Sequence, residues 1–336
     1  MLKHERQEMI IDLIKTHWLV NLWFLKDNVD VSRTTLWRDI ETLINRWKIQ
    51  EKKKWFYQIV PDPLEYINTP FFDRPAVAYN FDFLKSYWPD NSFLDAQQLK
   101  KLEQWTISHT LDTSYLEKNQ RIIENIMIDL SYASSGLEWN TYSYLDTEVL
   151  IKYNESAKWK SQEETTMILN HKKTINFILA HKKEIPYTNK TIQEIHTLLA
   201  RWLLQPEYVW VIRSSPVQIG WSTYTPLDNQ HQLQQEFELF WQKFRGITNP
   251  FEQSVFMLVF LSYFQLFMDV NKRTSRLSCN LPLVKHGLPL ISFLQAEKRS
   301  YINAILAIYE LNTTSLMAEL FVENYLLNMH RYVPTR

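Results

Sequence analysis

The chain has 336 residues, 37 Lys and Arg against 37 Asp and Glu, 45% hydrophobic residues and a single cysteine, Cys279. That length predicts two domains or one large one. The charge balance excludes a global electrostatic case for nucleic acid and leaves only local patches. A lone thiol excludes an internal disulfide framework and fits a reducing compartment.

The opening stretch "MLKHERQEMIIDLIK" reads as a charged amphipathic helix and not as a signal peptide. A second short helix, "LWFLKDNV", follows. Ser32 is placed to cap a third, "SRTTLWRDIETLINRW". "KIQEKKKWFYQIV" reads as two short strands around a basic tip. Three helices and a hairpin over residues 1–60 resemble a winged helix-turn-helix of the DeoR-like and biotin-repressor-like kind. The resemblance implies that Arg33, Thr34, Thr35 and Arg38 face a major groove, with Lys52, Lys53 and Lys54 near phosphates. DNA is then a partner. The other reading is a packing or dimerisation module with a solvated basic tip, which leaves a homo-oligomer open.

Residues 61–116 read as a proline-rich connector, "PDPLEYINTPFFDRP", and docking helices over "FDFLKSYWPDNSFLDAQQLKKLEQW". From Glu117 to the C-terminus the pattern is helical, with Asp146 expected to cap the helix in "DTEVLIKYNESAK". One break, "YVWVIRSSPVQIGWSTYTP", alternates and is rich in β-branched residues, and so reads as a hairpin. The longest apolar run, Val255 to Met268, is too short to span a bilayer and carries Ser262 and Gln265. The expectation is a mainly α, cytoplasmic protein with no membrane partner. Its histidines, among them His171, His196 and His286, show no metal-ligand spacing.

The chemistry gathers after that run, in "FQLFMDVNKRTSRL". A helix that begins behind a tight loop points free N–H groups into the loop, and its dipole favours an anion there. Asn271 can orient the loop, and Lys272, Arg273 and Arg276 add positive charge. Asp269 can hold Mg²⁺ through phosphate oxygens. The stretch suits a polyphosphate but lacks G-x-x-x-x-G-K-[ST], so it is not a Walker loop.

"QLFMDVNKRTSRL" resembles the Fic signature, H-x-F-x-[DE]-G-N-[GK]-R-x-x-R, matched at Phe267, Asp269, Asn271, Lys272, Arg273 and Arg276. Upstream, "SSGLEWNTYSYLDTE" resembles the inhibitory motif [ST]-x-x-x-E-[GN], matched at Ser134 and Glu138. "VIRSSPVQIGWSTYTP" resembles the Fic flap, with Arg213, Val217, Ile219 and Tyr224 as its target-docking residues. The three motifs lie in the family's order and imply a Fic-type helical domain with a β-hairpin flap over residues 117–336.

The resemblance also implies an activity, AMP transfer from ATP to a Tyr, Thr or Ser hydroxyl of a target protein. Asp269 would hold the metal, Asn271, Lys272 and Arg273 the phosphates, and Arg276 the terminal phosphate. Glu138 would pair with Arg276 and displace that phosphate, and Tyr301 would lie near the nucleotide. Two positions depart from the pattern. Gln265 stands where the family has its catalytic histidine, and an amide is no base at neutral pH. Val270 stands where the family has glycine, so the cradle is expected to be tighter or reshaped. The second function that the sequence supports is a DNA-binding regulator whose Fic domain senses nucleotide without catalysis. A third is a Fic variant in which Glu138 activates water to remove AMP or another group.

The glycines are few, 4 in the whole chain, and the tryptophans many, 13. Trp139, Trp210 and Trp221 stand where the Fic motifs commonly have glycine. Trp18 and Trp47 lie just past helices, where glycine caps are favoured. Two readings stay open: UGA codons that mean glycine but were translated as tryptophan, or a chain that has drifted.

Overall fold

The structure, a computed structural model, describes residues 2–17, 19–45, 49–59, 62–88, 92–108, 120–182 and 184–332. It divides into two compact units, Met1–Thr69 and Pro70–Arg336. The expected boundaries at 60 and 116, and Trp18 and Trp47, lie outside the described residues.

The first unit runs α1 (Lys3–His17), β1 (Val20–Asn21), α2 (Leu22–Asn28), α3 (Arg33–Asn45), β2 (Ile49–Lys53) and β3 (Phe56–Ile59), closed by α4 (Pro63–Asn68). Its strands pair antiparallel in the order β1-β3-β2. Polar side chains fix where the helices begin. Asn21 accepts the Phe24 N–H at 2.8 Å, and Ser32 accepts the Thr35 N–H at 3.1 Å, as its cap role required. Ile10, Ile14, Leu25, Leu36, Ile40 and Tyr57 form the core. Buried Asp39 is neutralised by Arg6 at 2.7 Å.

The second unit is mainly helical. It runs β4 (Val77–Ala78), α5 (Phe81–Lys85), α6 (Ala96–Ser108), α7 (Gln120–Gly136), α8 (Tyr144–Tyr153), α9 (Gln162–Ala180), α10 (Asn189–Ala200), β5 (Tyr224–Thr225), α11 (Gln230–Arg245), α12 (Pro250–Phe264), α13 (Asn271–Ser278), α14 (Asn280–Lys285), α15 (Lys298–Leu306) and α16 (Ser315–Tyr332). A π-helical turn, Ala307–Leu311, continues α15. Ser143, not Asp146, caps α8. Its Oγ accepts the Asp146 N–H at 3.0 Å and donates to the Asp146 carboxylate at 2.6 Å. A serine one turn earlier offers the shorter reach.

Helix α12 is apolar on every side, and every residue from Phe251 to Phe264 is buried. Such a helix must be enclosed on all faces, and α11, α13, α14 and α16 pack against it. Each large side chain so buried stabilises the fold by roughly 1.5–3 kcal/mol. Asn249 caps α12, and Pro250 occupies its first turn, where no N–H is needed. Among the described residues no helix is long and apolar enough to cross a membrane.

In the stretch read as a hairpin, strand pairing is confined to β5, which lies parallel to β4 of the connector. The chain turns at Ile219–Ser222, where the Ser222 N–H meets the Ile219 carbonyl at 3.3 Å. The connector takes the place of a second arm for a physical reason. Arg74, which precedes β4, donates from Nη1 to both Glu310 oxygens at 2.9 Å and from Nη2 to the Trp221 carbonyl at 2.8 Å. Glu310 also accepts Ser222 Oγ at 2.8 Å.

Candidate functional site

The site is built at the end of α12. The helix stops at Gln265, whose φ of 50° turns the chain left-handed, and a second left-handed residue, Val270 at φ 67°, launches α13. Val270 therefore holds the glycine-like conformation although it is β-branched, at a cost of ~1–2 kcal/mol. The bend tolerates this because it is fastened elsewhere. Asn271 accepts the Phe267 N–H at 2.9 Å and donates to the Phe267 carbonyl at 2.7 Å. The Arg213 N–H meets the Leu266 carbonyl at 3.0 Å, and Arg213 Nε meets the Gln265 carbonyl at 2.5 Å.

The first N–H groups of α13 have no intrahelical acceptor and carry the positive end of the helix dipole. Cations surround them. Arg273 is almost entirely buried. Its Nη2 lies 3.6 Å from the Asp269 carboxylate, while its Nη1 has no hydrogen-bond partner among the described residues. Burial pushes its pKa down, and Asp269 and Glu138 oppose that. Lys272 Nζ lies 3.2 Å from Glu138 Oε2.

Arg276, fully buried, has a partner at each of its three nitrogens. Nε donates to Ser134 Oγ at 3.0 Å, and Nη1 donates to Tyr301 Oη at 2.8 Å. Nη2 donates to the Ser134 carbonyl at 3.0 Å and to Glu138 Oε1 at 2.8 Å. Burial opposes ionisation of Glu138. The charges of Arg276, Lys272 and Arg273 together outweigh it and hold the carboxyl below the usual carboxylate range. Glu138 sits in the turn that ends α7, its N–H bonded to the Ser135 carbonyl at 2.9 Å.

Most residues expected at the site meet there: Asp269, Asn271, Lys272, Arg273, Arg276, Ser134, Glu138 and Tyr301. Asp269 keeps an exposed carboxylate beside the helix start. Among the described residues no three His, Cys, Asp or Glu stand close enough to hold a metal by themselves. A cation there needs further oxygens, such as those of phosphates. Gln265 is buried and donates from Nε2 to the Ser262 carbonyl at 2.7 Å and to Tyr309 Oη at 2.9 Å.

Two flap residues depart from their expected role. Arg213 is buried and spends its guanidinium on the carbonyls of Gln265, Ser215 and Leu227. Tyr224 is buried between Tyr263 and Tyr309, and its hydroxyl donates to the Tyr263 carbonyl at 3.0 Å. Both brace the flap from beneath and neither is open to a docked chain. Val217 and Ile219 are half-buried, while Ser214, Ser215, Pro216, Gln218 and Gly220 are exposed.

Sequence reading passed over four neighbours. His171, on α9, donates from Nδ1 to the Met167 carbonyl and accepts Ser134 Oγ–H at Nε2; burial lowers its pKa to about 3. His196, on α10, stacks on Phe267 with centroids 3.8 Å apart and meets the Asp269 carbonyl at 3.3 Å. Burial lowers its pKa to about 4, so both rings are neutral. Tyr309 receives Gln265. Lys298 donates to the Gly136 carbonyl at 2.9 Å. These contacts join distant segments, so no local signal in the sequence marked them.

The Fic/DOC family model matches residues 186–283, the stretch from the start of α10 through α14. No curated protein matches the chain. Solved structures do. Fic-1 (residues 134–508) from C. elegans is 18% identical, with TM-score 0.58 over 70% of each chain. A Fic domain containing signaling protein from Bacteroides thetaiotaomicron is 18% identical, with TM-score 0.56 over 71% of this chain and 99% of that one. A Fic family protein from Desulfovibrio desulfuricans is 14% identical, with TM-score 0.60 over 74% of this chain and 79% of that one. At these identities the likeness is one of fold. Residues 186–283 are a Fic/DOC domain, set in a mainly helical unit of the Fic fold.

Proposed function

We propose that the Pro70–Arg336 unit binds a magnesium nucleotide triphosphate at the start of α13 and is held shut by Glu138. One observation carries this. The buried Arg276 is wholly engaged by Glu138, Ser134 and Tyr301, beside a second buried arginine, Arg273, whose Nη1 has no partner among the described residues. The α13 N–H groups and Arg273 would hold the phosphates, and Asp269 would hold Mg²⁺, which supplies charge neutralisation to the phosphate oxygens. Arg276 would take the terminal phosphate only once Glu138 has left it.

AMP transfer to a protein hydroxyl is the reaction this arrangement fits, with Gln265 setting its speed. An amide cannot take the proton of the attacking hydroxyl, and the loss of a general base costs roughly 10²–10⁴ in rate. The test is Mg-ATP titration by calorimetry, for the full chain and for Arg273→Ala. Binding to the full chain that weakens at least tenfold in the variant supports the reading. Equal binding by both, or none by the full chain and by Glu138→Gln, would sink it.

A second reading belongs to the Met1–Thr69 unit, which we infer to be a winged helix-turn-helix that contacts DNA. Its support is the strand order β1-β3-β2 and the exposed Arg33, Thr34 and Arg38 on α3. Thr35 is tied to the Ser32 cap, Oγ1 to Oγ at 2.9 Å, and has a weaker claim. Duplex DNA from the upstream region of the gene should bind with affinity that falls as salt rises, and Arg38→Ala should weaken it. Binding insensitive to both would remove DNA from the account.

A further inference from the structure

Left-handed backbone in this protein is occupied by the wrong residue. Twelve described residues have φ between 50° and 75°, and only Gly287 among them is glycine. Six are tryptophans: Trp55 at 71°, Trp139 at 69°, Trp159 at 67°, Trp202 at 65°, Trp210 at 75° and Trp221 at 63°. A left-handed conformation strains any side chain and is an outlier for a bulky one. Asparagine, the usual substitute for glycine there, supplies two, Asn154 and Asn312.

Four of the six also behave unlike tryptophan. Trp139, Trp159, Trp202 and Trp221 are between 72% and 100% exposed, although tryptophan is on average well buried. The six sit in turns, and their hydrogen bonds run through the backbone. The Trp55 carbonyl accepts Leu22 N–H, the Trp210 carbonyl accepts Gln193 Nε2, and the Trp221 carbonyl accepts Arg74 Nη2. A residue with no side chain would keep every one of these bonds. Trp55 packs against the first unit's core and edge-on to Trp37, with ring centroids 5.0 Å apart, while Trp139 has the Lys298 ammonium 3.4 Å from its ring centre.

Trp23 and Trp88 are also exposed, at 61% and 62%, so the backbone angle and not exposure alone marks the six. Trp241 is almost fully buried among Phe237, Phe240 and Phe244, and its Nε1 donates to Asn189 at 2.5 Å. Drift from glycine does not account for the difference. Single-base changes in glycine codons lead to alanine, valine, serine, arginine, aspartate, glutamate and cysteine as well as tryptophan. Drift has no means of selecting tryptophan at half of the left-handed positions.

We propose that positions 55, 139, 159, 202, 210 and 221 are glycine in the protein as its own cell makes it, each encoded by UGA, a codon read as glycine in one genetic code and as tryptophan in another. The reading accounts for the strained tryptophans and for part of the shortage of glycine. It stands on the backbone angles, the exposed side chains and the glycine count, and is independent of nucleotide binding.

Two experiments test it. The gene should carry UGA at these six positions and UGG at Trp241. Tryptic peptides of the protein purified from its own cells should weigh less by the tryptophan–glycine difference at each of the six. UGG codons, or peptides that contain tryptophan at 139 and 221, overturn the proposal. Separately, a recombinant variant carrying Trp139→Gly, Trp159→Gly, Trp202→Gly, Trp210→Gly and Trp221→Gly should melt roughly 5–15 °C above the all-tryptophan chain, after the flexibility of glycine in the unfolded state is allowed for. Trp241→Gly should melt lower. A five-site variant that melts at or below the all-tryptophan chain counts against the proposal.

Discussion

Replacing Glu138 with glutamine raises Mg-ATP affinity by roughly 10- to 1000-fold and lowers the melting temperature of the nucleotide-free protein. Both effects arise from one charge. In the native pair Glu138 lies 2.8 Å from Arg276, which is fully buried, and 3.2 Å from Lys272. A carboxylate there repels any phosphate that approaches Arg276. At an effective dielectric near 20, two unit charges 4 Å apart interact by about 4 kcal/mol. With the charge gone the repulsion vanishes, and Arg276 is left buried without its counter-ion. Breaking a buried pair on one side costs about 3–5 kcal/mol, which lowers the melting temperature by roughly 6–20 °C. Nucleotide should then restore it, since a phosphate supplies the missing negative charge. The two readouts separate a shutter from a plain structural pair: the plain pair loses stability and gains no affinity. Label transfer from ATP should stay weak in Glu138→Gln and strengthen when Gln265→His is added, because only the second change provides a base. Calorimetry, thermal melts with and without Mg-ATP, and a labelled-ATP assay check the three parts.

Arg74→Met costs the protein about 3–5 kcal/mol. The guanidinium and Glu310 are nearly inaccessible to water, with side-chain exposures of 4% and 0%. Glu310 would keep Ser222 Oγ and the Thr223 N–H as donors but would lose its only paired cation among the described residues. Chemical denaturation should give a lower midpoint with little change in slope. Arg74→Met with Glu310→Leu should recover much of the loss, because an apolar pair leaves no unpaired charge. A single variant as stable as the parent would show that the pair contributes nothing. Since Arg74 also holds the Trp221 carbonyl, the same variant should loosen residues 214–222, seen as faster amide exchange there.

Much of this was legible in the sequence because it was local. The apolar run at Val255–Phe264, the Ser32 cap and the spacing Asp269, Asn271, Arg273, Arg276 are encoded within a turn or two. The pairing of Glu138 with Arg276 was legible only through the resemblance, since the residues lie well over a hundred positions apart, and the Ser134 contacts to Arg276 came only with the structure. What stayed hidden was set by packing. Arg213 alternates as a strand residue should, and its sequence neighbours do not reveal that the carbonyls of Gln265 and Leu227 will claim it. His171 and His196 looked like scattered helical positions, and only the meeting of α7, α9, α10 and α13 gives them partners. Asp146 lost the cap role to Ser143, where either residue suits the position.

Arg213 ties both ends of the flap to the bend: it grips carbonyls at 215 and 227 on one side and at 265 on the other. The tip of the flap is thus anchored through one side chain to the bend that launches α13. Cutting the Arg213 tether would free the tip from that bend, whereas lengthening the tip would leave the anchorage in place.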